Sequence, residues 1–193
     1  MKYFSILAFL ACVPFAGCAL FSPPNTISAE DLQTLQTQAA QGNAKAQIDL
    51  GQRYHFGQGV PQDYEKAREW YEKAATQGDA TGQNSLGTLY QAGKGVPQDD
   101  AKARDLYERA AAQGNALAMY NLGWLYGKGK GVPPDYVKSY MWSDLAAAGA
   151  PSRGALAQAV RSREMIAIRM TPAQIAEAQR LAQQCEAQQF KGC

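Results

Sequence analysis

The sequence predicts an all-α fold, a solenoid of stacked helix-turn-helix units. The chain repeats itself: shifted by 36 residues, Gly42 falls on Gly78 and Gly114, Leu50 on Leu86 and Leu122, and Tyr54 on Tyr90 and Tyr126. A period of that length marks one supersecondary unit written several times. Within each copy the apolar and small residues recur at spacings of three and four, which is the helical period and not the strand period. The same interruption also divides every copy into two helices: Gly57-Gln58-Gly59-Val60-Pro61, Gly93-Lys94-Gly95-Val96-Pro97 and Gly129-Lys130-Gly131-Val132-Pro133. Glycine takes the left-handed conformation that closes a helix, and proline cannot continue one.

Met1-Lys2 and the apolar run from Tyr3 to Phe15 have the charged start and hydrophobic centre of an export signal, here residues 1–18. The run is shorter than the roughly 20 residues that a membrane span needs. It ends in Phe15-Ala16-Gly17-Cys18, which resembles the bacterial lipobox, where small residues precede a cysteine that is lipidated and becomes the first residue. Phe15 stands where leucine is usual, and ordinary signal cleavage after Ala19 is the alternative. Either route exports the protein to the periplasm. Lipidation of Cys18 would add a membrane anchor, and Ala19 after the cysteine, by the same resemblance, points to the outer membrane.

Residues 19–28 read as a tether, broken by Pro23-Pro24 and Asn25. A capping helix follows over 29–42, with Ser28 as N-cap and Glu30 and Asp31 in the first turn. It closes in Ala-Ala-Gln-Gly, as the second helix of each unit does, so it reads as a half-repeat. Three repeats then fill 43–150. In the first, Ala44, Gln47, Leu50, Gly51 and Tyr54 share one helical face, and Asp63, Asp99 and Asp135 are placed to cap the three second helices. The first of those helices is expected to bury Tyr64, Ala67, Trp70, Tyr71, Ala74 and Ala75. In the third copy Ser139 and Ser143 replace the equivalents of Ala67 and Tyr71, while Val137, Met141 and Asp144 stand where Glu65, Glu69 and Glu72 faced solvent. Two solvent positions have turned apolar, which calls for a cover. Residues 151–193 supply it as C-terminal capping helices: a run from Ser152 to Arg169, then a helix capped by Thr171 with Pro172 at its first position.

The pattern Ala-x-x-Gly-x-Ala-x-Ala-x-x-x-Leu-Gly-x-x-Tyr-x-x-Gly-x-Gly-Val-Pro-x-Asp, followed by Ala-x-x-Trp-Tyr-x-Lys-Ala-Ala, is nearly whole at 39–75. It resembles the Sel1-like repeat family, a branch of the tetratricopeptide-like solenoids. The resemblance implies a right-handed α-solenoid and a concave groove lined by one stripe of each first helix. Here that stripe is Lys45, Ile48, Gln52 and His55, then Thr81, Asn84, Thr88 and Gln91, then Leu117, Tyr120 and Trp124. Its residues change from copy to copy, as positions not dictated by packing do. Tyr120 and Trp124 would be the rigid anchor of a binding site, with Asn84 and Gln52 as hydrogen-bonding groups, unless both aromatics pack under the C-terminal helices.

The 19 basic and 17 acidic side chains give a net charge of +2 with no basic run, and so no electrostatic reason to expect a nucleic-acid partner. His55 is the only histidine, which leaves no multi-histidine metal site within a monomer. No serine has the Ser-x-x-Lys spacing, and Gly93-Lys94-Gly95 and Gly129-Lys130-Gly131 lack the spacing of a phosphate loop. Neither a cofactor nor catalysis is expected. Cysteine-rich relatives linked to β-lactam binding or hydrolysis carry a cysteine pair in each repeat, which this chain lacks. Three functions remain: a monomeric adaptor binding a protein or peptide in the cell envelope, an immunity protein neutralising a secreted toxic effector, and a receptor for a cell-wall fragment or β-lactam, with or without hydrolysis. Once Cys12 leaves with the leader and Cys18 is acylated, Cys185 and Cys193 remain. An oxidising compartment favours their pairing if the last helix frays near Gln189 to Gly192. A buried Cys185 and an intermolecular bridge are the alternatives.

Overall fold

The computed structural model describes residues 27–193; the expected export leader, Cys18 and most of the expected tether lie outside the described residues. Among those described there are nine helices and no strand: α1 (Ala29–Ala40), α2 (Ala44–Phe56), α3 (Tyr64–Thr76), α4 (Ala80–Ala92), α5 (Asp100–Ala111), α6 (Ala116–Lys128), α7 (Tyr136–Ala148), α8 (Arg153–Ala167) and α9 (Pro172–Ala187). From α1 to α8 each helix packs on the next in sequence. α9 instead lies against α7. First helices also meet across repeats, α2 touching α4 and α6 touching α8.

Local chemistry sets every boundary. The side chains of Asp63, Asp99 and Asp135 accept hydrogen bonds from the amides of Lys66, Lys102 and Lys138, so each second helix starts with a satisfied donor. Asn43, Asp79 and Asn115 do the same for the first helices. Gly57, Gly93 and Gly129 close those helices in the left-handed conformation, with φ of 68°, 64° and 64°. The second glycine of each interruption has a different task. A Cβ on Gly95 would stand 2.5 Å from the Tyr64 carbonyl oxygen, because this loop rests on the start of the preceding unit's second helix. Gly131 rests on Asp100 in the same way, and Gly59 rests on Ile27. Ile27 and α1 thus occupy the place of a second helix from a preceding unit.

Packing within a unit depends on small residues beneath large ones. Gly51 lies under the ring of Tyr71 and Gly87 under that of Tyr107, while Ala67, Ala74, Ala103 and Ala110 let the paired helices approach. The buried amides are paired as well. Gln77 donates to Gln47 Oε1 at 2.7 Å, and Gln113 donates to Gln83 Oε1 at 2.9 Å. Gln47 in turn donates to the Ala39 carbonyl, which ties α1 to α2. In the third unit the corresponding positions are Met119 and Gly149, so donor and acceptor disappear together and no buried amide is stranded.

Two second-helix residues are less buried than their pattern suggests. Tyr64 and Trp70 are half-buried, and the Lys73 ammonium sits 3.9 Å from the centroid of the Trp70 ring. Trp142, at the same position in the third unit, is buried, because α9 packs onto α7. That packing also covers Met141, whereas Asp144 is paired with Arg163 of α8. α8 stands against α7 and α6, where the first helix of a fourth unit would be. α9 opens with a full capping box between Thr171 and Gln174. Beyond it Gln189, Phe190 and Gly192 adopt positive φ, the chain turns back, and Cys185 and Cys193 are bonded with their Cα atoms 5.5 Å apart. Phe190 packs on the core shared by the second and third units, beside Gly114.

Candidate partner-binding surface

The stripe expected to line the groove lies along one side of α2, α4 and α6, but the exposed band is rotated by about one residue. Lys45, Gln52 and Thr81 are exposed as expected. Ile48 and Asn84 are not: they are only 7% and 8% exposed, and this corrects their assignment as contact residues. The cause is the close approach of successive first helices. Asn121 Nδ2 of α6 donates to Asn84 Oδ1 of α4 at 3.0 Å, and α2 meets α4 at the equivalent seam, where Ile48 lies. Tyr120, at that position in α6, is half-buried against the same core.

Thr88 and Gln91 are half-buried for another reason. The Tyr107 hydroxyl lies 2.9 Å from Gln91 Oε1, to which it donates, and 3.3 Å from Thr88 Oγ1. Burial pushes that hydroxyl's pKa up to about 12, so it stays a donor. These two residues hold the core and keep only part of their surface open. His55 stacks on Phe56 at 4.4 Å and meets Tyr64 and Tyr71 edge-on. Its pKa is lowered, first by burial and then by the Lys94 charge. Asp49, Ser85 and Asn121, all half-buried, and the exposed Phe56, Ala92 and Lys128 complete the accessible band. Sequence reasoning passed over them because which side of a helix faces a neighbouring repeat is a tertiary fact. Their spacing to Lys45, Gln52 and Trp124 was the available signal.

The band changes character along the chain. Its first two units offer amides, hydroxyls and charge, with a single exposed ring, Phe56, 60% exposed, at the end of α2. The third offers Leu117, 45% exposed, and Trp124, 38% exposed, and α8 adds Met165, 58% exposed. Trp124 and Met165 flank a cavity of about 100 Å³ between α6, α7 and α8, with Gly123, Gly127, Ser139 and Ser162 in its walls. Trp124 is therefore neither buried under the tail nor fully free: α8 lies beside it and leaves over a third of its surface open.

Three successive two-helix units with capping helices at each end define a helical-repeat protein. The Sel1 repeat matches at residues 44–79, 80–115 and 116–150, over half of the chain, and the protein belongs to the Sel1 repeat family. Members of this family typically mediate protein interactions. The solved structure of a Sel1 repeat protein from Oxalobacter formigenes is similar at 37% identity and a TM-score of 0.57, over 68% of this chain and 98% of that one. The crystal structure of c5321, a protective antigen present in uropathogenic Escherichia coli strains displaying an SLR fold, is similar at 26% identity and a TM-score of 0.60. That match covers 83% of this chain, which spans only 42% of c5321. No curated protein matches.

Proposed function

We propose that the chain is a non-enzymatic scaffold of the bacterial cell envelope that binds a protein or peptide along the concave face formed by α2, α4, α6 and α8. The observation that supports this reading most is the exposed apolar end of the band, Leu117, Trp124 and Met165, adjoining a polar stretch of Lys45, Gln52 and Thr81. Interfaces pair aromatic anchors with a hydrogen-bonding rim in this way. Export and acylation at Cys18 would place the scaffold at the periplasmic side of the outer membrane, where multiple acyl chains hold stably and one alone holds weakly.

Photo-crosslinking amino acids placed at Gln52, Thr88 and Trp124, and as controls at the outward Glu69 and Arg109, test the reading in intact cells. One partner band at the three groove positions, absent at the controls, is the expected pattern. Equal capture at all five, or capture only at the controls, would refute it. Recovery of a secreted toxic effector as that band would turn the role to immunity. Metabolic labelling with a clickable fatty acid should mark the wild type and not Cys18→Ser.

A further inference from the structure

The cavity beside Trp124 lies where an aromatic ring sits in the two preceding repeats. In the second unit the Tyr107 ring runs over Gly87, with Cε1 2.7 Å from where a Cβ would be, and its hydroxyl reaches Thr88 and Gln91. One repeat later those three positions are Gly123, Trp124 and Gly127, and all three line the cavity. The tyrosine itself has become Ser143. Its hydroxyl pairs with that of Ser162 at 3.2 Å, and Ser139 donates to the Gly123 carbonyl at 2.7 Å, so the cavity wall makes no unmet polar demand from these groups. α8 fills part of the space through Ile166 and leaves the remainder open past Trp124 and Met165. Gly123 itself stays closed, since a Cβ there would stand 2.8 Å from the Ser143 hydroxyl and 3.1 Å from the Ser139 carbonyl oxygen, and the open space lies past it towards Trp124 and Met165.

The rim is cationic. Lys128 and Arg169 both line the cavity and, among the described residues, neither forms an ion pair. The Arg169 guanidinium lies 5.9 Å from the centroid of the Tyr136 ring.

Building on the scaffold reading, we propose that this cavity receives an aromatic side chain of the bound protein or peptide, in the space that Tyr71 and Tyr107 fill from within, with a neighbouring carboxylate of the partner at Lys128 and Arg169. The partner thus completes the third repeat. A ring in this position would lie beside Trp124 and Met165, and it would bury apolar surface that the isolated chain leaves open.

Amide and indole NMR shifts of the purified chain, titrated with p-cresol and with 3-(4-hydroxyphenyl)propionate, test this. Saturable shifts at Gly123, Gly127 and the Trp124 indole are expected. The propionate should bind about two- to fivefold tighter at low salt, a gain abolished by Lys128→Glu, an exposed change that leaves the fold alone. Ser143→Tyr supplies the ring from within and should weaken both probes by about tenfold or more. If that variant does not fold beside Ser162 and Ile166, the Lys128→Glu comparison decides. Absence of saturable shifts, undiminished binding in folded Ser143→Tyr, or equal affinity for the two probes would overturn the proposal. Both probes are read on the isolated chain, so their failure removes the cavity and leaves any groove crosslinks standing. Crosslinks absent with the probes bound would instead refute the scaffold reading and leave an aromatic-acid site.

Discussion

A double-mutant cycle between Gly87 and Tyr107 probes how each unit is held together. The Tyr107 side chain is fully buried over Gly87, and its hydroxyl is bonded to Gln91. Tyr107→Ser, which copies the third unit into the second, removes the ring and leaves a void; large aromatic truncations of this kind cost about 3 to 5 kcal/mol. Against a domain stability of about 5 to 15 kcal/mol that loss is large. Gly87→Ala in the wild type drives a Cβ to 2.7 Å and 3.0 Å from the Tyr107 ring. Overpacking of that sort costs about 1 to 3 kcal/mol, offset by about 1 kcal/mol of helix propensity, for a net loss of about 0 to 2 kcal/mol. With Tyr107→Ser already present the ring is gone, and the propensity gain of about 1 kcal/mol is left. The 3.3 Å approach of the same Cβ to the Ala103 carbonyl exists in both backgrounds and cancels in the cycle. Gly87→Ala should therefore destabilise the wild type and stabilise the Tyr107→Ser variant, with a coupling of about 1 kcal/mol or more. Urea unfolding of the four proteins measures it, provided the m-values agree. Additivity within about 0.5 kcal/mol would show that the glycine is not there for the ring.

Trp124→Ala should lower the melting temperature less than Trp142→Ala, whose ring is buried under α9, yet should remove groove crosslinking; the reverse ranking would place Trp124 in the core. Reduction of the purified chain should add the mass of two hydrogens, and Cys193→Ser should cost up to about 3 kcal/mol, since the closed loop is short; an unchanged mass would contradict the pairing. His55 has a folded pKa below its ordinary 6.5, so the unfolded chain takes up its proton first as pH falls. The stability this supplies is complete above 6.5 and is lost as pH descends through the lower folded pKa. His55→Gln, the residue type of the second unit, should flatten the melting temperature over that window, and an unaltered slope would exclude the histidine as its source.

What was legible in the sequence was local. Aspartate caps at Asp63, Asp99 and Asp135, glycine stops and the three-and-four spacing act within a turn or two of their own residues, so helix order followed directly. The cover needed over the third unit was readable too, because Met141 departed from an established pattern. Ile48 and Asn84 were misplaced because their burial is decided by a helix one repeat away. Ser143 was visible as a substitution, but its meaning required knowing that Tyr107 reaches from one helix across a glycine to touch Gln91 on the other.

The glutamine pairs have a consequence for how this chain can lengthen. Gln47 with Gln77 and Gln83 with Gln113 each close within a single unit, while the contact between units rests on Gly95 or Gly131 meeting the backbone at the start of an earlier helix and, at the third unit, on Asn121 donating to Asn84. A block such as 80–115 can therefore be duplicated in tandem with its glutamine pair intact, much as a link is added to a watch strap, although at the new seam Ser85 of the added copy stands where Asn121 meets Asn84. The clasp is elsewhere: α1 at one end and Met119, Gly149 and α9 at the other are fitted to their neighbours. Groove length is thus a parameter that gene duplication can change in whole steps, while the aromatic end stays fixed beside the last link.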